Sequence, residues 1–171
     1  ITHEHGDHLD KNAITALSSD KTEIILNAKS QQQIGLGRVL ANGEFCTLFP
    51  VGISVWAVPA YNTTPGREQF HPKGNGNGYL LSFLGSLSAY VAGDTEDIPE
   101  MVDIPKIRPA MRISVAFLPV NQPYTMTVDQ CVNAAKMVNP EVLIPYHFSQ
   151  TDLSGLADRL PEMKVLLRDM Q

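Results

Sequence analysis

The stretch His3-Glu4-His5-Gly6-Asp7-His8 decides how the rest of this 171-residue chain is read. Three of the five histidines fall within these six positions. A match to H-x-H-x-D-H arises by chance in roughly one of several thousand chains of this length. Side chains two positions apart in extended chain point the same way, so His3 and His5 converge on one cation. Gly6 permits a turn that aims Asp7 and His8 at a second cation beside the first. Imidazoles suit Zn(II), and the carboxylate widens the choice to Mn(II) or Fe(II). The Glu, Gly and Asp between the histidines set the stretch apart from a homopolymeric tag.

Two other places deliver metal-competent side chains from the ends of apolar strands. Ala89-Tyr90-Val91-Ala92 runs into Gly93-Asp94-Thr95, which puts Asp94 at a strand exit, where ligands collect and where a carboxylate is able to bridge two ions. Val142-Leu143-Ile144-Pro145-Tyr146 ends the same way at His147. The remaining histidine, His71, lies in an irregular segment over residues 61–77 that is rich in Asn, Gly, Thr and Pro. A loop of that length in a small domain is usually functional.

Other elements follow from pattern. Strands are expected over 21–28, 44–49, 53–58, 112–119 and 141–146, with a hairpin of 78–84 and 87–92 turning at Gly85-Ser86. A helix interrupted by Gly35 and Gly37 is expected over 30–40. The clearest helix spans 127–138, where Thr127 and Gln130 form a capping box and Val128, Cys131, Ala135 and Val138 share a face. Alternating strands and helices in the second half favour an α/β fold with helices packed on a sheet.

Composition sets outer bounds. With 43% hydrophobic and 18% charged residues the chain reads as one globular domain. Net charge is −5 and the Lys and Arg residues are scattered, which argues against nucleic acid as a partner. No apolar run reaches membrane-spanning length. The two cysteines form no C-x-x-C pair, so reduced thiols and a cytoplasmic setting are expected, and Cys131 on an apolar helix face is unsuited to catalysis.

Taken in order, His3-x-His5-x-Asp7-His8, Gly93-Asp94-Thr95 and the strand-end His147 resemble the metallo-β-lactamase superfamily. Val58-Pro59-Ala60-Tyr61-Asn62, Phe70-His71-Pro72-Lys73-Gly74, Gly93-Asp94-Thr95-Glu96, Pro119-Val120 and Tyr124-Thr125-Met126-Thr127 are similar to its branch of L-ascorbate-6-phosphate lactonase-like hydrolases. The resemblance covers essentially residues 1–171 and implies an αββα sandwich with a site for two divalent metal ions, zinc first, along one sheet edge. It implies that His3 and His5 bind the first ion, Asp7 and His8 the second, that Asp94 bridges both, and that His147 completes the second set. Many relatives place a further first-site histidine directly after the strand matching 53–58, where this chain has Tyr61-Asn62. His71 fills that role if the loop folds back, and otherwise contacts substrate.

The family's opening strands are not matched in this sequence, which then corresponds to the last two-thirds to three-quarters of a domain. That leads us to expect a longer parent or another chain, a homo-oligomer included, completing the sheet. The implied chemistry is hydrolysis of a small ester, lactone or phosphodiester. Two cations about 3.5–4 Å apart share a water and present hydroxide, with Asp7 as general acid and base. Asn62, Lys73 and Tyr124, in loops beside these ligands, are the expected substrate contacts. The competing reading is a degenerate member whose ion is structural and whose role is that of an interaction module.

Overall fold

The computed structural model describes residues 1–84 and 87–170. After an irregular opening, helix α1 (Lys11–Leu17) starts where Asp10 accepts hydrogen bonds from the amides of Asn12 and Ala13. Two short parallel strands, β1 (Ile25–Leu26) and β2 (Arg38–Val39), flank helix α2 (Ala28–Ile34). The helix expected over 30–40 is therefore shorter and earlier. Gly35 ends it in the left-handed region at φ 72°, and the chain beyond extends into β2.

The main sheet has seven strands in the order β3-β4-β5-β6-β7-β8-β9. They are β3 (Phe45–Leu48), β4 (Ile53–Ala60), β5 (Gly76–Ser82), β6 (Ser88–Val91), β7 (Val115–Pro119), β8 (Val142–Tyr146) and β9 (Lys164–Val165). Strands β3 to β6 pair antiparallel and β6 to β9 parallel. The β5–β6 hairpin forms as expected, while the proposed turn at Gly85-Ser86 lies outside the described residues. Residues 76–77, expected in the long loop, are the first residues of β5.

A 3-10 turn (Pro99–Asp103), helix α3 (Ile104–Ile107) and helix α4 (Val128–Val138) cover one face. Leu80, Tyr90, Ala116, Leu118 and Leu143 from the sheet pack there against Met101, Cys131, Ala135 and Val138. The capping box at the start of α4 is present, with the Gln130 amide donating to Thr127 Oγ1 at 3.1 Å and the Thr127 amide to Gln130 Oε1 at 2.8 Å. Asn139, at φ 48°, closes the helix. On the other face Leu40, Cys46, Val55, Ala57 and Tyr79 form a smaller cluster. Val91, Val115, Phe117 and Ile144 on other strands are half-buried.

Both cysteines are buried and unpaired by a disulfide. Burial pushes the Cys131 thiol up to about 12. A buried, protonated thiol is a poor nucleophile. A thiol reagent at pH 8 is therefore expected to label neither cysteine of the native chain and both after denaturation. Fast labelling of either in the native state would contradict this packing.

Candidate metal centre

The ends of β6 and β8, the opening segment and the loop between β4 and β5 meet at one end of the sheet. The opening segment is pinned there by backbone bonds. The Asn77 amide donates to the Thr2 carbonyl at 2.9 Å, and the Ile1 backbone nitrogen donates to the Ile25 carbonyl at 2.8 Å. A turn follows, in which the amides of His8 and Leu9 donate to the His5 carbonyl. This turn brings the histidines of the first stretch together.

Gly93, at the exit of β6, makes that approach possible. It has φ +68°, and a Cβ there would lie 2.7 Å from the Asn77 carbonyl oxygen and 3.1 Å from Thr2 Cβ. Both the left-handed backbone and the close contact favour glycine. Gly93→Ala is expected to destabilise the chain by about 2 kcal/mol or more in chemical denaturation. Unchanged stability would contradict this account of how the opening segment docks.

All seven side chains read from the sequence as metal-competent converge. Three sets each place ligand atoms within 4.8 Å of one another: His3, His5 and His71; His3, His8 and Asp94; and Asp7, His8 and His147. His3 Nε2 lies 3.0 Å from His5 Nδ1. Asp94 sits between the sets, with Oδ2 3.3 Å from His71 Nε2 and 3.9 Å from His3 Nε2, and Oδ1 3.3 Å from His8 Nε2. His147 Nε2 is 3.2 Å from Asp7 Oδ2. The loop between β4 and β5 folds back and points the His71 ring into the cluster.

The electrostatics suit cations. His8 Nε2, His71 Nε2, Asp94 Oδ1 and His147 Nδ1 are buried with no hydrogen-bond partner among the described residues. Buried polar atoms without partners are costly, and a bound cation satisfies such nitrogen and oxygen lone pairs. Burial, followed by repulsion from His8, pushes the His3 imidazole down to about 3, so it is held neutral with one ring nitrogen unprotonated. Burial alone would raise the Asp94 carboxyl. The close approach of the His71 and His8 rings and the charges of His8 and His147 outweigh it and hold Asp94 well below the usual carboxylate range. Asp7 is also lowered, burial being outweighed by His8 and by the hydrogen bond from His147.

Outer contacts orient the rings. Thr2 Oγ1 lies 3.1 Å from His3 Nδ1 and 3.3 Å from His8 Nδ1. His71 Nδ1 donates to the Tyr124 carbonyl at 3.0 Å, which leaves Nε2 as the unprotonated nitrogen facing Asp94. His147 has φ +50°, and its amide donates to the Met170 carbonyl at 2.8 Å. A non-glycine residue in that region carries strain that commonly accompanies function. No sequence signal marked Thr2 or the Tyr124 carbonyl, because both act through contacts fixed only by the fold.

The three residues expected to touch substrate occupy different settings. Asn62 is buried and its Nδ2 donates to the carbonyls of Arg67 and Tyr124, at 3.2 and 2.7 Å. Lys73 Nζ donates to Glu100 Oε1 at 2.8 Å and to the Tyr61 hydroxyl at 3.0 Å. Tyr124 is exposed, its ring packed edge-on against Phe70.

Known proteins share this arrangement of chain. A crystal structure of a protein from Parabacteroides distasonis, described provisionally as a metal-dependent hydrolase, is 51% identical and superposes with a TM-score of 0.92, covering 100% of this chain and 75% of that one. A metallo hydrolase from Ignicoccus hospitalis, 24% identical, shares the fold at a TM-score of 0.78 over 99% of this chain and 75% of that one. A metal-dependent hydrolase of Nanoarchaeum equitans is 28% identical over 87% of this chain. One of Koribacter versatilis is 32% identical over 86%. The chain spans 68% and 64% of the lengths of those two relatives. Residues 1–148 match the family described as the beta-lactamase superfamily domain. With the fold of its structural neighbours and this match over most of its length, the chain belongs to the metallo-β-lactamase superfamily.

Proposed function

We propose that the chain is a metal-dependent hydrolase with two divalent ions, zinc first and Mn(II) or Fe(II) as the other choices. His3, His5 and His71 would hold one ion, and Asp7, His8 and His147 the other, with Asp94 serving both. The observation that carries this is the position of Asp94, whose two carboxylate oxygens face different histidine sets. When bound, divalent ions supply Lewis acidity to a carbonyl or phosphoryl group and acidify water. Residues 1–171 are read as one hydrolase domain.

The chain's own groups do the rest. The side chain of Asp7 is 61% exposed, so its carboxylate reaches solvent and substrate while His147 steadies Oδ2. In this reading Asp7 orients the attacking water, takes its proton at the carboxylate and passes it to the leaving group. His71, fixed in one tautomer by the Tyr124 carbonyl, keeps Nε2 inward. Tyr124 lines the approach, Lys73 offers a cation to an anionic substrate, and Asn62 holds the Tyr124 loop in place.

A small ester, lactone or phosphodiester fits a chain of net charge −5 better than a polyanion does. No helix among the described residues is long and apolar enough to cross a membrane. A cytoplasmic metabolite is the substrate we favour. The test is a screen of lactones, carboxylic esters and phosphodiesters, run on metal-loaded protein and again after chelation. We expect hydrolysis of one class, lost on chelation and restored by Zn(II), Mn(II) or Fe(II). Chelation-resistant hydrolysis, or none of any class by metal-loaded protein, would count against the reading.

A further inference from the structure

A carboxylate two residues beyond Asp94 takes no place in the ligand sets. Glu96 is fully buried, and a buried carboxylate is costly unless its oxygens are satisfied. Its Oε2 accepts from the Thr63 amide at 2.8 Å, the Thr63 hydroxyl at 3.0 Å and the Thr64 amide at 2.6 Å. Its Oε1 accepts from Arg67 Nη1 at 3.4 Å. All of these donors belong to the loop that carries His71.

The same loop is tied at its ends. The Glu96 amide donates to the Tyr61 carbonyl at 3.0 Å, and the Tyr61 amide donates to Thr95 Oγ1 at 3.1 Å. Across the loop, the Asn62 amide donates to the His71 carbonyl at 2.9 Å, and Asn62 Nδ2 donates to the Arg67 carbonyl at 3.2 Å. One chain segment, residues 93–96, thus carries Asp94 and also grips the loop that presents His71 to it.

We propose that Glu96 is a positioning residue whose buried carboxylate fixes the Thr63-Thr64-Arg67 turn and through it sets His71 against Asp94. This rests on the reading of His71 as a metal ligand. Glu96 binds no ion itself, and its effect reaches the centre only through His71. Outer contacts that orient ligands commonly contribute 10–100-fold to metal affinity.

The test is a double-mutant cycle read by release of zinc from the metal-loaded chain to a chromogenic chelator. Glu96→Ala is expected to weaken retention of one of the two ions by about 10–100-fold and to leave the other unchanged. Glu96→Gln, which keeps an acceptor for the two amides but loses the Arg67 charge, should fall between wild type and Glu96→Ala. His71→Ala should weaken the same ion, and adding Glu96→Ala to it should cost nothing further.

Equal retention by Glu96→Ala and wild type would overturn the proposal. So would a double variant weaker than His71→Ala by the full single-variant factor, because Glu96 would then act independently of His71. Circular dichroism checks folding, and Glu96→Gln carries the cycle if Glu96→Ala does not fold. A wild-type chain that retains no zinc, or a His71→Ala variant that retains it as well as wild type, would overturn the reading of the centre and this proposal with it.

Discussion

Asp94→Ala is expected to lose both ions and to lower kcat/KM by about a thousandfold or more. The carboxylate lies 3.3 Å from His71 on one side and 3.3 Å from His8 on the other, so its removal opens both ligand sets together. Loss of about 4 kcal/mol of metal-assisted transition-state stabilisation corresponds to a thousandfold. Asp94→Asn keeps the shape of the side chain and one oxygen acceptor, and separates loss of charge from loss of packing. It should fold as wild type and still bind ions poorly. Elemental analysis and steady-state kinetics of the two variants check this, and an Asp94→Ala chain that keeps both ions would contradict it.

Asp7→Ala should divide the two readouts differently. Of the two carboxylates among the seven proposed ligands it is the more exposed, and His8, His147 and Asp94 remain to hold the second ion after its removal. Loss of a general acid and base costs about 100–10,000-fold in rate. Turnover is expected to fall by that factor while at least one ion per chain, the one assigned to His3, His5 and His71, stays bound. Equal loss of turnover and of both ions would show that Asp7 is a ligand first and would remove the proton-transfer role. Loss of hydrolysis with that ion still bound, restored by no added cation, is the pattern that fits.

What was legible in the sequence was local. The capping box of α4 involves residues three apart, and the strands before Asp94 and His147 are short apolar runs with the acidic or imidazole group directly after them. Such patterns survive folding because their partners are chain neighbours. Helix α1 went unread because its buried face is missing, and only the Asp10 cap marks it. The 3-10 turn and α3 begin around prolines, at Pro99 and Pro105, and have no full period of apolar residues to display.

The site follows the same division. The clustering of His3, His5, Asp7 and His8 is visible in six residues, whereas His71 joins them through bonds that span the chain, among them those from its Nδ1 to the Tyr124 carbonyl and from Glu96 back to Thr63 and Thr64. Glu96 directly follows Gly93-Asp94-Thr95, yet its contacts are with Thr63, Thr64 and Arg67, about thirty residues earlier. The left-handed backbone of His147 is equally a product of tertiary fixing, since its amide is held by the Met170 carbonyl. Spacing alone has no means of encoding either.

The central claim is that one cluster holds two ions around a single shared carboxylate. It is tested most directly by the metal content of chain purified without added metal, measured by elemental analysis against protein concentration, for wild type and His71→Ala. The account predicts two divalent ions per wild-type chain and one per His71→Ala chain. One ion per chain in both proteins, or none, would contradict it.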